Sequence, residues 1–532
     1  MVDVLIQGGQ VIDGTGAPWF RADVAVQDGK IVAIERMPMD GTQAATVLDA
    51  TGCFVVPGFI DPHTHSDLTL LINPPAESQV RQGVTTVVIG NCGSAPAPVG
   101  PRNGAFLDRK IGGTAAGQGL RRDWRTFGEY CDRLRRQGVA VNVAPLAGHA
   151  ALRGEVMGME SRPPTADELA EMRRLLEEAL DDGVFGLSTG LIYPPSSYAD
   201  TDEIVALADV SARRGGLYFS HIRGEGVTLL DAVGEAIEIG RRAEVPVQIA
   251  HHKAARPPAW GKTARTLEMM VAARADGVDV AYDSYPYIAS SSGLGSLLPD
   301  WAHEGGSPAL LARLRSPSER ERVVAGIRDR AAGIEGWHTV IVSWVPTAAH
   351  KQWEGQTIDQ IGDTLSLSGE DTVAHVLDTL GGSAHMVYFQ LNEEDVRRVL
   401  AHPLGMVGSD GSAAAPYGPL SEGKPHPRSY GTHPRVLGRY VRELGLLSWE
   451  EAVRKMTSAP AQRLGLASKG IVRAGLDADL VVFDPATVSD RATFDEPHQY
   501  PDGIKHVLVN GEPVVRGGTH LGTLPGHVLT RP

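Results

Sequence analysis

A chain of 532 residues, 42% hydrophobic and 21% charged, has enough apolar material for one large domain plus a smaller one, with no need for a disulfide scaffold. A formal net charge of -14 without any long basic run argues against nucleic acid, because phosphate contacts need clustered Lys and Arg. No stretch of about 18 apolar residues occurs, so no membrane span is predicted. The start MVDVLIQGGQVIDGTG lacks the basic and apolar regions of a signal peptide. The three cysteines, Cys53, Cys92 and Cys131, lack CxxC spacing and fit a reducing compartment. The expectation is a cytoplasmic enzyme without nucleic acid or membrane partners; no oligomeric state can be read.

In chain order, the first elements are short strands. VAVQDGKIVAI places Asp28-Gly29 between two alternating apolar runs, which predicts a hairpin. Eight apolar segments rich in Val, Ile and Gly then recur: FVVPGFIDPH, GVTTVVIGNC, VNVAPLAGH, GVFGLSTGLIY, GLYFSHI, PVQIAHH, VDVAYDSY and GMVGSD. Helical patterns lie between many of them. TADELAEMRRLLEEALDDG opens with a Thr165/Glu168 capping box, sets Leu169, Met172, Leu176 and Leu180 on one face, and stops at Gly183. SWEEAVRKM repeats the box with Ser448 and Glu451. Near the C-terminus ADLVVFD reads as a strand and HVLVNGEPVV as a hairpin turning at Asn510-Gly511.

Alternating strands and helices imply a parallel sheet, either doubly wound or closed. No well-placed GxGxxG supports the doubly wound nucleotide-binding form. The predicted fold class is therefore α/β: a (β/α)8 TIM-type barrel with a small β-sandwich domain built from both chain ends. Residues 1–56 and 470–532 would form the small domain, and 57–469 the barrel. An insertion at about 293–400, including TVIVSWV and the polar helix NEEDVRRVLAH, either covers the site or is plain elaboration.

What ends each strand is informative. The first ends in His63-x-His65, the second in Cys92, the fifth in His221, the sixth in His251 and the eighth in Asp410. A lone His after a strand is usually structural. Six ligand-type residues at five strand ends point instead to one metal at one barrel mouth. Imidazole, thiolate and carboxylate together suit zinc. Asp410 is the natural general base, which makes metal-assisted hydrolysis of a carbonyl–nitrogen bond the reaction class.

PGFIDPHTHSD, the later histidines and the final Asp resemble the amidohydrolase superfamily. QGVTTVVIGNCG, GLSTGLIYPP, IAHHK, DSYPY, GSDG and HPRSYGTHPRVLGRYVRE are similar, more narrowly, to the D-aminoacylase (N-acyl-D-amino-acid deacylase) family, across about residues 55–470. Dihydroorotases, hydantoinases and phosphotriesterases in that superfamily carry a carboxylated lysine at the end of the fourth strand. GLSTGLIYPP has no lysine, and Cys92 is the D-aminoacylase alternative. The resemblance implies a tight zinc on Cys92, His221 and His251, with His63, His65 and Asp410 lining a second, weaker position. It further implies an N-acyl amino acid substrate whose α-carboxylate is held by Arg428, supported by Lys253, Tyr193, Tyr285 and, more weakly, Ser291.

His252 is set aside because neighbouring strand residues face opposite sides. His149 is read as structural, Cys53 and Cys131 as buried small hydrophobes, and Glu77, His433 and Arg435 have no assigned job. The expected activity is zinc-dependent hydrolysis of N-acyl-D-amino acids to a carboxylate and a free D-amino acid. The handedness comes from the resemblance alone. The rivals are an amidohydrolase acting on cyclic amides or other N-acyl compounds, and a non-catalytic binding protein on the same barrel.

Overall fold

The structure, a computed structural model, describes residues 2–104, 107–108 and 120–531. Its centre is a ring of parallel strands: Phe59–Asp61, Val84–Ile89, Asn142–Pro145, Gly186–Gly190, Leu217–His221, Val247–Ile249, Val280–Ser284 and Gly405–Val407. The third strand bends at Leu146 and continues as Ala147–Gly148, which pairs with Leu187–Ser188 and carries the ring to the fourth strand. Closure between eighth and first strands falls just beyond their ends. There Asp410 N donates to His63 O at 2.8 Å and His65 N to Gly411 O at 2.7 Å. All eight segments lie within the runs predicted as strands. They are buried on both faces, so they do not alternate apolar with charged residues, and Thr86, Asn142, Ser188, Gln248 and Asp283 are polar residues buried within them.

The first run divides at Gly58. Phe54–Pro57 leaves the barrel to pair antiparallel with Leu480–Phe483, and only Phe59–Asp61 enters the ring. Gly58 is needed at the crossing, because a Cβ there would sit 2.2 Å from Thr85 Oγ1. The sheet that receives Phe54–Pro57 has nine strands drawn from both chain ends. Alternation along its strands gives it two apolar faces. Val55, Leu480, Val482 and Leu508 pack with Val4, Ile6, Val24 and Ile31 in the small domain's own core. Phe54, Val56, Val481, Phe483, Val507 and Val509 join the barrel's core. Both predicted hairpins form, with Asp28-Gly29 and Asn510-Gly511 all at positive φ as a tight two-residue turn requires.

Helix Ala166–Asp181 starts on the full Thr165/Glu168 capping box and buries Met172, Leu176 and Leu180. At Ser448 only half of the box forms: its side chain accepts from Glu451 N, while the Glu451 carboxylate turns to Arg454 at 2.7 and 2.8 Å. Between the seventh and eighth barrel strands, Ala289–Gly293, Val340–Trp344 and His385–Phe389 form an antiparallel sheet. With its helices it encloses a separate core that includes Leu294, Leu310, Ile327, Val342, Leu377 and Met386. The polar helix Glu393–Ala401 lies outside that core. It packs against barrel helix Thr263–Ala275 and strand Gly405–Val407, so it is a barrel helix. Among the described residues no helix is long and apolar enough to cross a membrane.

Candidate metal centre

The barrel's strand ends deliver the predicted side chains to one place. His63 follows the first strand by two residues, Cys92 the second by three, His221 ends the fifth, His251 follows the sixth by two, and Asp410 the eighth by three. Backbone bends aim three of them: Cys92, His251 and Asp410 all hold positive φ, at 53°, 36° and 51°. Non-glycine residues adopt such angles at a cost, and the cost concentrates at functional sites. Room for the Cys92 bend comes from Gly190 at the end of the fourth strand, where a Cβ would lie 2.3 Å from Cys92 O.

Cys92 Sγ lies 3.4 Å from His63 Nε2 and 3.5 Å from His251 Nε2. Asp410 Oδ1 is 3.1 Å from His65 Nε2 and 3.5 Å from His63 Nε2. Three overlapping sets have ligand atoms within 4.8 Å of one another: Cys92, His221 and His251; His63, His65 and Cys92; and His63, His251 and Asp410. Both ring nitrogens of His221 are buried without a hydrogen bond. A buried imidazole left so is costly, and a metal at this spot would satisfy it. The donor types fit zinc: one sulfur, four imidazoles and one carboxylate shared among three overlapping sets.

Outside the candidate ligands, Asp283 holds His63. Its Oδ1 lies 3.1 Å from His63 Nδ1 and accepts from His251 N at 2.8 Å, while Oδ2 accepts from Gln248 at 3.0 Å. Such a carboxylate fixes the ring's tautomer and leaves Nε2 for a metal. Glu225, four residues past His221, does similar work for His251, at 3.1 Å from Nδ1. Sequence reasoning assigned no role to either acid. Asp283 stands inside the quoted DSYPY, and Glu225 follows the fifth-strand histidine in HIRGEG; acid close to a strand-end histidine was the available signal.

The residues expected to hold a carboxylate gather beside the cluster. Arg428 Nη1 lies 2.7 Å from Asp410 Oδ2, and its guanidinium sits 5.0 Å from the Tyr285 ring centre. Lys253 Nζ lies 5.5 Å from the same ring. The Tyr285 hydroxyl is buried without a partner, and Tyr193 stands edge-on to His221 at 5.0 Å. Ser291 meets Arg428 through its carbonyl, 3.2 Å from Nη2, while its hydroxyl donates to Met386 O. His252 faces the other way, 2.8 Å from Thr266 Oγ1. His149 is buried between Ser196 and Glu203, at 2.9 and 3.0 Å. Arg435 pairs with Asp490 and donates to Pro286 O, bracing the loop that carries Tyr285.

Charge is balanced within the pocket. Burial resists ionisation of Cys92, but His63 and His251 outweigh it and hold the thiol well below its ordinary range. Burial likewise opposes the Asp410 carboxylate, and Arg428, His251 and His65 hold it ionised. Burial works against a charged His65, yet Asp410 and Cys92 push it up to about 9. His221 is kept neutral by burial and by the charge of His251, the state a ligand needs.

A closed parallel barrel whose strand ends gather nitrogen, sulfur and carboxylate ligands beside a cationic anchor is the frame of a metal-dependent hydrolase. The chain belongs to the amidohydrolase family, whose sequence profile matches residues 46–515. It is 39% identical to a D-aminoacylase of Alcaligenes xylosoxydans xylosoxydans over 530 residues, covering 99% of this chain and 98% of that one. It is 40% identical to the N-acyl-D-glutamate deacylase of the same organism, over 96% and 93% of the two chains. Among solved structures it is similar to the Bordetella bronchiseptica N-acyl-D-glutamate deacylase, complexed with zinc and a phosphonate mimic of the tetrahedral intermediate. That match has a TM-score of 0.83 and 36% identity over 100% of both chains. A D-hydantoinase structure matches at a TM-score of 0.56 and 18% identity, a likeness of fold alone.

Proposed function

We propose that the protein is a cytoplasmic, zinc-dependent deacylase of N-acyl-D-amino acids, releasing a carboxylate and the free D-amino acid. The observation that carries this is the joining of two features in one buried pocket: the six-ligand cluster, and Arg428 and Lys253 flanking Tyr285. The second feature suits an α-carboxylate, which a cyclic amide such as a hydantoin lacks. The relatives named D-aminoacylase and N-acyl-D-glutamate deacylase support the D configuration.

Cys92, His221 and His251 would hold zinc, with His63, His65 and Asp410 around a second position. When bound, zinc polarises an amide carbonyl and lowers the pKa of water. The protein's own groups do the rest. Arg428, Lys253 and Tyr285 fix the substrate's carboxylate and so aim the scissile bond, which is catalysis by positioning. Asp410 takes a proton from the attacking water and passes it to the leaving nitrogen. In the free enzyme Arg428 pairs with Asp410 at 2.7 Å. A substrate carboxylate competes for that guanidinium, so docking frees Asp410 to act as the base.

The test is a hydrolysis panel of N-acetyl-D- and N-acetyl-L-amino acids, with zinc measured on the same sample. Turnover confined to the D series, lost on chelation and restored by zinc, is expected. Equal rates on both enantiomers would overturn the D-deacylase reading, and full activity in zinc-free protein would overturn the metal reading.

A further inference from the structure

Glu225 is mostly buried among cations, yet it is no member of the metal-ligand sets. Its side chain is 12% exposed. A single oxygen, Oε1, accepts from Lys253 Nζ at 2.5 Å and lies 3.1 Å from His251 Nδ1. Lys253 Nζ is itself only 2.7 Å from that Nδ1. The opposite nitrogen of His251, Nε2, faces Cys92 Sγ at 3.5 Å. If Nε2 serves a metal, Nδ1 carries a hydrogen. The Lys253 ammonium and the Nδ1–H then have only donors to offer each other, and Glu225 Oε1 is the acceptor that lets both stay.

The backbone supports this placement. Glu225 O accepts from Ala255 N at 2.7 Å, tying the loop after the fifth strand to the loop after the sixth, two residues beyond Lys253. Gly224 permits the bend before it, since a Cβ there would lie 2.1 Å from Thr228 Oγ1.

We propose that Glu225 is a positioning residue that joins the metal centre to the substrate clamp. One carboxylate oxygen orients His251 for the metal, and the same oxygen holds Lys253 beside Tyr285 for the substrate's α-carboxylate. The metal half stands on the His251 geometry alone. The clamp half rests on the deacylase reading.

The experiment uses the full-length protein with Glu225→Gln, Glu225→Asp, Lys253→Met and the Glu225→Gln/Lys253→Met double variant. Zinc affinity is measured without substrate, by competition with a chromogenic chelator. KM and kcat are measured on zinc-loaded protein with N-acetyl-D-amino acids. Removing an outer carboxylate from a metal-bound histidine lowers metal affinity about 10- to 100-fold, and that loss is expected for Glu225→Gln. Lys253→Met keeps the Glu225–His251 contact and removes a cation beside that ring, so its zinc affinity does not fall. Both single variants raise KM. In the double variant the KM effects fall well short of multiplying, while the zinc defect persists. Glu225→Asp, which keeps the charge, recovers part of both losses; if Glu225→Gln does not fold, Glu225→Asp and Lys253→Met carry the comparison. Unchanged zinc affinity in Glu225→Gln overturns the metal half. KM effects that multiply fully overturn the coupling. If no N-acyl amino acid is hydrolysed, the deacylase reading fails while the chelator result still decides the His251 role.

Discussion

Replacing Arg428 with alanine tests the substrate clamp most directly. The side chain is 6% exposed, its Nη1 lies 2.7 Å from Asp410 Oδ2, and its Nη2 donates to Ser291 O at 3.2 Å. The guanidinium also rests 5.0 Å from the Tyr285 ring centre, so it is held for whatever carboxylate arrives. Truncating one partner of a buried, hydrogen-bonded charge pair costs about 2–5 kcal/mol. At about 1.4 kcal/mol per decade this is a fall in kcat/KM of about 30- to 5,000-fold. Loss of the Asp410 contact affects every substrate, so the informative quantity is a ratio. Initial rates are compared for an N-acetyl-D-amino acid and its α-carboxamide, in parent and variant, with zinc content and circular dichroism matched. The parent should prefer the acid strongly and Arg428→Ala should erase most of that preference. Arg428→Lys, which keeps the charge but loses the planar fork, should fall between them. An acid-to-carboxamide ratio unchanged by Arg428→Ala would refute the reasoning.

Three further outcomes are expected. Asp410→Asn should lower kcat about 10²- to 10⁴-fold, the usual share of a general base, while one zinc per chain remains by metal analysis; near-parent turnover would remove Asp410 from that role. Glu203→Gln leaves the fully buried Arg153 without its counter-charge, 3.1 Å away, and His149 with a neutral partner. Denaturant unfolding should show a loss of about 3 kcal/mol, and a change under about 1 kcal/mol would mean that the carbonyls of Glu160 and Arg162, which Arg153 also reaches, suffice. The last concerns acid. Burial opposes the Asp477 carboxylate, but Lys30, Ser468 and Lys469 hold it down to about 2. A depressed carboxylate stabilises the fold above its unfolded value near 4, and that contribution fades as pH falls toward 2. Asp477 is partly exposed, so Asp477→Asn should cost about 1–2 kcal/mol near neutrality after screening. The gap from the parent should shrink below pH 4, and a pH-independent gap would count against it.

Much of this molecule is legible in the linear order because burial writes directly into residue type. Strands buried on both faces become short stretches rich in apolar residues, and the barrel places the residue after each stretch at one rim. His63, His65, Cys92, His221, His251 and Asp410 could therefore be picked out from position alone. The hairpins at Asp28-Gly29 and Asn510-Gly511 were readable for an equally local reason, the positive φ that those turns demand.

What required the tertiary structure is where contacts come from distant segments. FVVPGFID looks like one strand, but the chain crosses between two sheets at Gly58 because Thr85 lies 2.2 Å from any Cβ placed there. NEEDVRRVLAH carries no local mark of whether it belongs to the insertion or to the barrel, and its packing against Thr263–Ala275 settles that. Asp283 and Glu225 are ordinary acids in sequence; only folding sets one against His63 from 220 residues away and the other against Lys253 and His251. Which side-chain types stand at the strand ends is a one-body property, legible from position along the chain. The orientation of those side chains is a many-body property, and it exists only once the eight strands have closed the ring.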